Sequence, residues 1–113
     1  MKYVAVGDAQ KFENGQTCTV FEYGGDADLS GAIAEINGRY PESGWSFNTA
    51  VKEMVFVLSG EGKIVTDAGE KTLIKDTMVL LDINERYYFE GTMLRIFMPT
   101  TPAWTPEQYR IVQ

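Results

Sequence analysis

Glu53 is a carboxylate at the head of an apolar run, Glu53-Met54-Val55-Phe56-Val57-Leu58. Such a group can accept bonds from ligand hydroxyls or take a proton as a general base. The plainer readings are a structural pair with Lys52, Arg86 or Arg95, or a strand-start residue in water. Asn48 lies just upstream, and its amide both donates and accepts. That suits a hydroxyl-rich ligand, and equally a loop bonding its own backbone. Tyr87, Tyr88 and Phe89 are consecutive, so on a strand Tyr87 and Phe89 share one face and Tyr88 takes the other. Tyr87 could present its phenol to a ligand, although aromatic stripes on strands more often fill cores. Trp45 and Tyr40 flank Gly44 in a loop, where rings either stack on a sugar or pack. Trp104 sits in a Pro-rich tail and is expected to pin it.

The sequence has no histidine and a single cysteine, Cys18. Ser-His-Asp and Cys-His triads, imidazole bases, His-based metal sites and thiolate clusters are therefore excluded. An internal disulfide is impossible, which fits a reducing, cytoplasmic setting. Cys18 has no basic sequence neighbour and is expected to be buried and inert. Gly24-Gly25 and Gly60-Glu61-Gly62 lack the spacing and the Lys-Ser/Thr of phosphate-binding loops, so they read as turns.

The elements that must position these groups belong to one domain, residues 1–113. With 44% hydrophobic and 23% charged residues the chain has globular composition. The net charge of −6 argues against nucleic acid or an anionic membrane as partner. No apolar run is long enough to span a bilayer, and Met1–Asp8 turns polar too soon for a signal peptide.

Period-two patterns between turn signals predict strands throughout. They fall at 16–23, 29–36, 53–58, 63–66, 70–74, 78–81, 86–89 and 93–98. Asn37-Gly38, Gly60-Glu61-Gly62 and Glu90-Gly91 read as strand ends, and Asp67-Ala68-Gly69 as a hairpin turn. The 53–58 run is apolar on both faces, so both are expected to be covered. Thr105-Pro106-Glu107-Gln108 has the form of a capping box and predicts one helical turn. Pro99, Pro102 and Pro106 predict a stiff, non-sheet approach to it. The pattern is all-β and fits a closed antiparallel barrel or a jelly roll.

The segment from Gly44 to Gly62 resembles the first motif of the cupin superfamily. That motif is a Gly, two His one residue apart, a Glu soon after, and a later Gly. Glu53 and Gly60 keep the Glu-to-Gly spacing, followed by Gly60-Glu61-Gly62. A second motif would run from Lys75-Asp76, where Asp76 matches the usual acid, to a His position at Arg86 or Tyr87. The resemblance covers residues from about 30 to 100 and implies a cupin-type β-barrel. The two first-motif His positions hold Ser46 and Asn48, or Phe47 and Thr49, so only Glu53 survives of the family's metal ligands. A lone carboxylate among neutral oxygens holds a transition metal poorly, so no metal or other cofactor is expected. By the same resemblance Glu53 points into the barrel, where burial would raise its pKa. The family's metal-free epimerases use an acid-base His, which this chain cannot supply.

Three functions follow. The first is a metal-independent barrel binding a small polar ligand, carbohydrate-like or a carboxylic acid, through Trp45, Asn48, Glu53 and Tyr87. The second is an isomerase, epimerase or lyase with Glu53 as base and Tyr87 or Lys52 as acid. The third is a site-less structural barrel, its core filled by Phe47, Met54, Phe89, Met93 and Phe97. A homodimer is expected in each case, because such barrels expose an apolar sheet face.

Overall fold

Alternating burial along nearly every extended segment winds this chain into a curled antiparallel sheet. The computed structural model describes residues 1–113. Nine strands follow in order: β1 (Gln10–Asn14), β2 (Cys18–Gly25), β3 (Ser30–Tyr40), β4 (Trp45–Asn48), β5 (Lys52–Thr66), β6 (Gly69–Leu73), β7 (Met78–Leu81), β8 (Tyr87–Thr101) and β9 (Tyr109–Val112). The order across the sheet is β1-β2-β3-β8-β4-β9, and β5 pairs with β8, β6 and β7. Every pairing is antiparallel. No helix is long and apolar enough to cross a membrane.

The inward residues of the two longest strands make the core. Val55, Val57 and Ile64 from β5 meet Phe89, Leu94 and Ile96 from β8, with Ala34 and Ile36 of β3 beside them. Burying each large side chain contributes roughly 1.5–3 kcal/mol.

Three expected strand ends are not ends. β3 runs through a register shift at Ile36/Gly38 to Tyr40. β5 passes Gly60 by shifts between Val57 and Glu61, and β8 passes Gly91 without a break. Gly60 has φ +77°, and a Cβ there would stand 1.9 Å from the Met93 carbonyl oxygen. Glycine is needed here for a bulge, which keeps the strand going while bending it. Pro99 also lies within the sheet, opposite Gly31, in a stretch where β5 pairs Thr100 and Phe97 but not Pro99. The Asp67-Ala68 turn between β5 and β6 is the expected hairpin. The expected capping box does not form. Pro106–Gln108 is a single 3-10 turn in which Thr105 makes no side-chain cap bond, and the Gln108 side chain, which would bond back to Thr105, is used elsewhere.

β5 is covered on one face only. Glu53, Val55 and Val57 are buried, while Met54 faces out and Phe56 is half-buried. Met54 stands opposite Leu80, and Phe56 lies between Met78 and Phe97. Met78 (52% exposed), Leu80 (56%) and Phe97 (39%) complete an apolar outer patch. The aromatic and Met core of the structural reading is absent: of its five residues only Phe89 is buried, and Met93 is 74% exposed.

Candidate functional site

Glu53 sits one residue inside β5, paired with Leu81 of β7 and Thr100 of β8. Strand parity turns its side chain inward with Val55 and Val57, leaving it 5% exposed. Asn48 Nδ2 donates to Glu53 Oε1 at 3.5 Å, and the Tyr87 hydroxyl donates to the same oxygen at 3.5 Å. No hydrogen bond reaches Oε2. Since no sealed side-chain polar atom in the protein lacks a partner, Oε2 is not fully sealed off.

Burial pushes the Glu53 pKa up from 4.5 to about 7, against the lowering effect of bonds from Asn48 and Tyr87. The nearby Glu22 carboxylate raises it further. No cation offsets this. The three basic residues considered as partners pair outside, Lys52 with Asp82, Arg86 with Asp67 and Arg95 with Glu35. Lys52 neighbours Glu53 on the strand but faces the opposite way, so it is no acid for an inner site.

Asn48 is oriented from behind. Its Oδ1 accepts from Gln108 Nε2 at 2.8 Å and from Trp104 Nε1 at 3.2 Å. Gln108 Oε1 in turn accepts from the Ala50 backbone at 3.2 Å. With Oδ1 occupied twice, the amide can present only Nδ2 to Glu53. Beyond Tyr87 lie further hydroxyls: Tyr109 bonds Ser46 and also Tyr40, the latter at 2.9 Å. Burial first, and then the Glu53 charge, raise the Tyr87 pKa well above its ordinary value, so this phenol stays protonated.

Of the residues expected at a site, the structure brings Asn48, Glu53 and Tyr87 together. Trp45 is on the other face of β4 from Ser46 and Asn48, edge-on to Tyr88 at 5.1 Å and under the Arg86 guanidinium at 5.7 Å. It lies outside the inner cluster. Tyr40 packs against the core rather than lining a loop. Trp104 pins the tail as expected, through its backbone to Ser30 Oγ and its indole to Asn48. Cys18 is buried, its thiol pushed up to about 12 mainly by burial.

Sequence reasoning missed Gln108, Tyr109 and Glu22. Glu22 carried a signal: it continues the Cys18, Val20 parity of β2, opposite to Phe21 and Tyr23. Gln108 and Tyr109 carried none, since the side-chain hydrogen-bond partners that place them lie 58 or more residues away.

The donor set does not fit a divalent metal. Asn48 offers an N–H where an oxygen would be needed, Tyr87 offers a protonated phenol, and no three His, Cys, Asp or Glu side chains converge anywhere.

No family model and no curated protein matches the sequence. Solved structures do match in shape. Pac13, a nucleoside dehydratase also solved from Streptomyces with uridine, superposes with a TM-score of 0.87 at 17% identity, over 100% of this chain and 92% of that one. The ectoine synthase from P. lautus gives 0.74 at 16% identity, over 100% and 91%. A sugar phosphate isomerase of the cupin superfamily from Silicibacter pomeroyi gives 0.71 at 8%, over 99% and 92%. The fold is therefore a cupin-type antiparallel β-barrel.

Proposed function

We propose that this barrel binds a small polar ligand at Asn48, Glu53 and Tyr87 without a metal. The observation that carries the reading is the free Oε2 of an otherwise enclosed, unpaired glutamate. Oε2 accepts no bond within the protein, so a ligand hydroxyl or N–H could donate to it. Of the two ligand classes expected, the carbohydrate-like one is better supported. A carboxylic acid would meet Glu53 and Glu22 with no cation beside them. The shape likeness to a dehydratase solved with uridine makes nucleosides the first members of that class to try.

The test is a thermal-shift and calorimetry panel of uridine, sorbitol and lactate. Binding of a polyol or nucleoside, and none of lactate, is the expected result. Glu53→Gln and Tyr87→Phe should each weaken it about tenfold, the value of one buried hydrogen bond. Unchanged affinity in both variants would sink the site assignment.

A second reading makes the same cluster an enzyme of the isomerase, epimerase or lyase class. It is favoured by a carboxyl raised to about 7 next to a protonated phenol, which is the pairing that general acid-base work needs. Incubating a bound ligand in D2O and finding Glu53-dependent deuterium uptake at carbon would support it. Binding with no exchange and no product would leave a binding protein only.

We also propose a homodimer through the outer patch of Met54, Met78, Leu80 and Phe97. Exposed apolar side chains adjacent in register across β7, β5 and β8 support it.

A further inference from the structure

We infer that β4 and β9 form a flap that opens as one piece, and that its seam with β8 is the way into the inner cluster. The purpose of the flap rests on the binding reading above, while its opening can be measured without a ligand.

β4 and β9 pair along their whole length, Trp45–Asn48 against Tyr109–Val112. β4 meets the rest of the sheet through one residue pair, Ser46 with Tyr87 of β8. β9 pairs with nothing but β4. Just beyond the strands, the Gln108 carbonyl accepts from the Thr49 backbone N–H at 2.9 Å and from the Thr49 hydroxyl at 2.6 Å. The ribbon is thus joined to itself far better than to the barrel.

The hydrophobic core stops short of this ribbon. Its buried members lie between Cys18 and Ile36 and between Val55 and Ile96, and none comes from residues 37–54 or 97–113. Opening the ribbon leaves that cluster intact, which is what a locally opening unit requires. Polar contacts hold the seam instead. The Asn84 N–H donates to the Asn48 carbonyl at 2.7 Å, Tyr40 and Tyr109 share a bond at 2.9 Å, and the Trp104 N–H donates to Ser30 Oγ at 3.0 Å. On the outer side Trp45 rests edge-on against Tyr88. Water can replace each of these hydrogen bonds when the seam parts, so their net cost is modest.

The seam divides the candidate site. Ser46, Asn48 and Tyr109 stand on the ribbon, and Glu53 and Tyr87 stand on β5 and β8. The closed form leaves Glu53 5% exposed and Ser46 fully buried. A ligand therefore reaches Glu53 Oε2 when the ribbon moves, touches both halves of the site, and closes the ribbon over itself.

The experiment labels the thiol introduced by Ser46→Cys with iodoacetamide. Native Cys18, a buried member of the core, is the reference in the same molecule. Peptide mass spectrometry reads both rates in rising urea. The introduced thiol should react at least about tenfold faster than Cys18, with a shallower urea dependence. Hydrogen exchange of the wild type is a second measurement that does not depend on how the variant folds. The amides of β4 and β9 should exchange as a group, at least about tenfold faster than those of Val57 and Leu94 in the core. The Asn84 N–H, whose acceptor lies across the seam, should exchange with them. Seam thiol and seam amides that open only with the core, on one urea slope, would overturn the flap. Fast exchange confined to β9, with Asn84 slow, would be fraying of an edge strand and would also overturn it. Uridine, where it binds the wild type, should slow exchange at the seam. Binding of uridine by a protein whose seam opens only with the core would overturn the flap and leave the binding reading standing. A fast seam with no binder among uridine, sorbitol and lactate would uphold the flap and count against the binding reading alone.

Discussion

Gln108 donates from Nε2 to Asn48 Oδ1 at 2.8 Å, joining positions 60 residues apart. With the Trp104 indole on the same oxygen, the tail decides which end of the Asn48 amide meets Glu53. The inner cluster is therefore a product of chain ends meeting mid-chain strands. Gln108→Ala would leave Asn48 with one donor fewer and the Ala50 N–H without its acceptor. The expected loss is about 1–3 kcal/mol in urea unfolding. A loss under about half a kcal/mol would show that the tail does not hold Asn48 in solution.

The raised Glu53 pKa sets a pH dependence. The folded protein keeps this proton up to about 7, while the unfolded chain releases it near 4.5. Between those values the native state binds more protons, so stability falls as pH rises. The contribution is complete below about 4.5 and is lost as pH passes 7. Its full span is on the order of 3 kcal/mol. The groups that shift Glu53 are Glu22, Asn48 and Tyr87. Unfolding measured at pH 5 and pH 8 should show the drop, and Glu53→Gln should flatten it. A wild-type profile that rises across this window would contradict the assignment.

Tyr87→Phe removes a donor to Glu53 Oε1 and leaves the buried ring in place beside Phe89, 5.4 Å away. The bond lowers the Glu53 pKa, so its loss should raise that pKa above about 7. Carbon NMR of the Glu53 carboxyl would read the change directly. A downward shift would mean that Tyr87 does not donate to it.

The outer patch predicts a dimer. Sedimentation equilibrium at micromolar concentration should give twice the chain mass of 12.7 kDa. Met78→Glu places a charge among Leu80, Phe56 and Phe97 and should yield monomer with an unchanged fold by circular dichroism. A wild-type monomer across the whole range would remove the proposal.

The sequence carried the barrel through its period-two patterns, and parity from Glu53 and Tyr87 alone brings those side chains inward. Parity also separates Trp45 from Asn48, because residues three apart on a strand face opposite ways. The glycines misled for one reason. Gly38, Gly60 and Gly91 look like stops, but they lie at register shifts through which the strands continue, and only the partner strand distinguishes the two. Gln108 misled for another. Its capping-box position is a local pattern, and a buried amide at Asn48 offered a better partner than the turn's own backbone. β9 was unreadable alone because Tyr109–Val112 is short and gains its order from pairing with β4.

Metal content is the sharpest test of the donor set, because binding would require a visible rearrangement. A cation on Glu53 would need Asn48 to turn Oδ1 inward. That flip breaks the bonds from Gln108 and Trp104 and points Nδ2 at two N–H donors instead. Each lost buried bond costs about 1–3 kcal/mol, and a single carboxylate with neutral oxygens returns little. Untagged protein, free of a His tag's ligands, should therefore contain less than about a tenth of a transition metal per chain by mass spectrometry. Its melting temperature should not move with EDTA. About one metal per chain, lost with EDTA and with Glu53→Gln, would mean that the amide does flip. The proton-transfer reading would then give way to a metal-centred site.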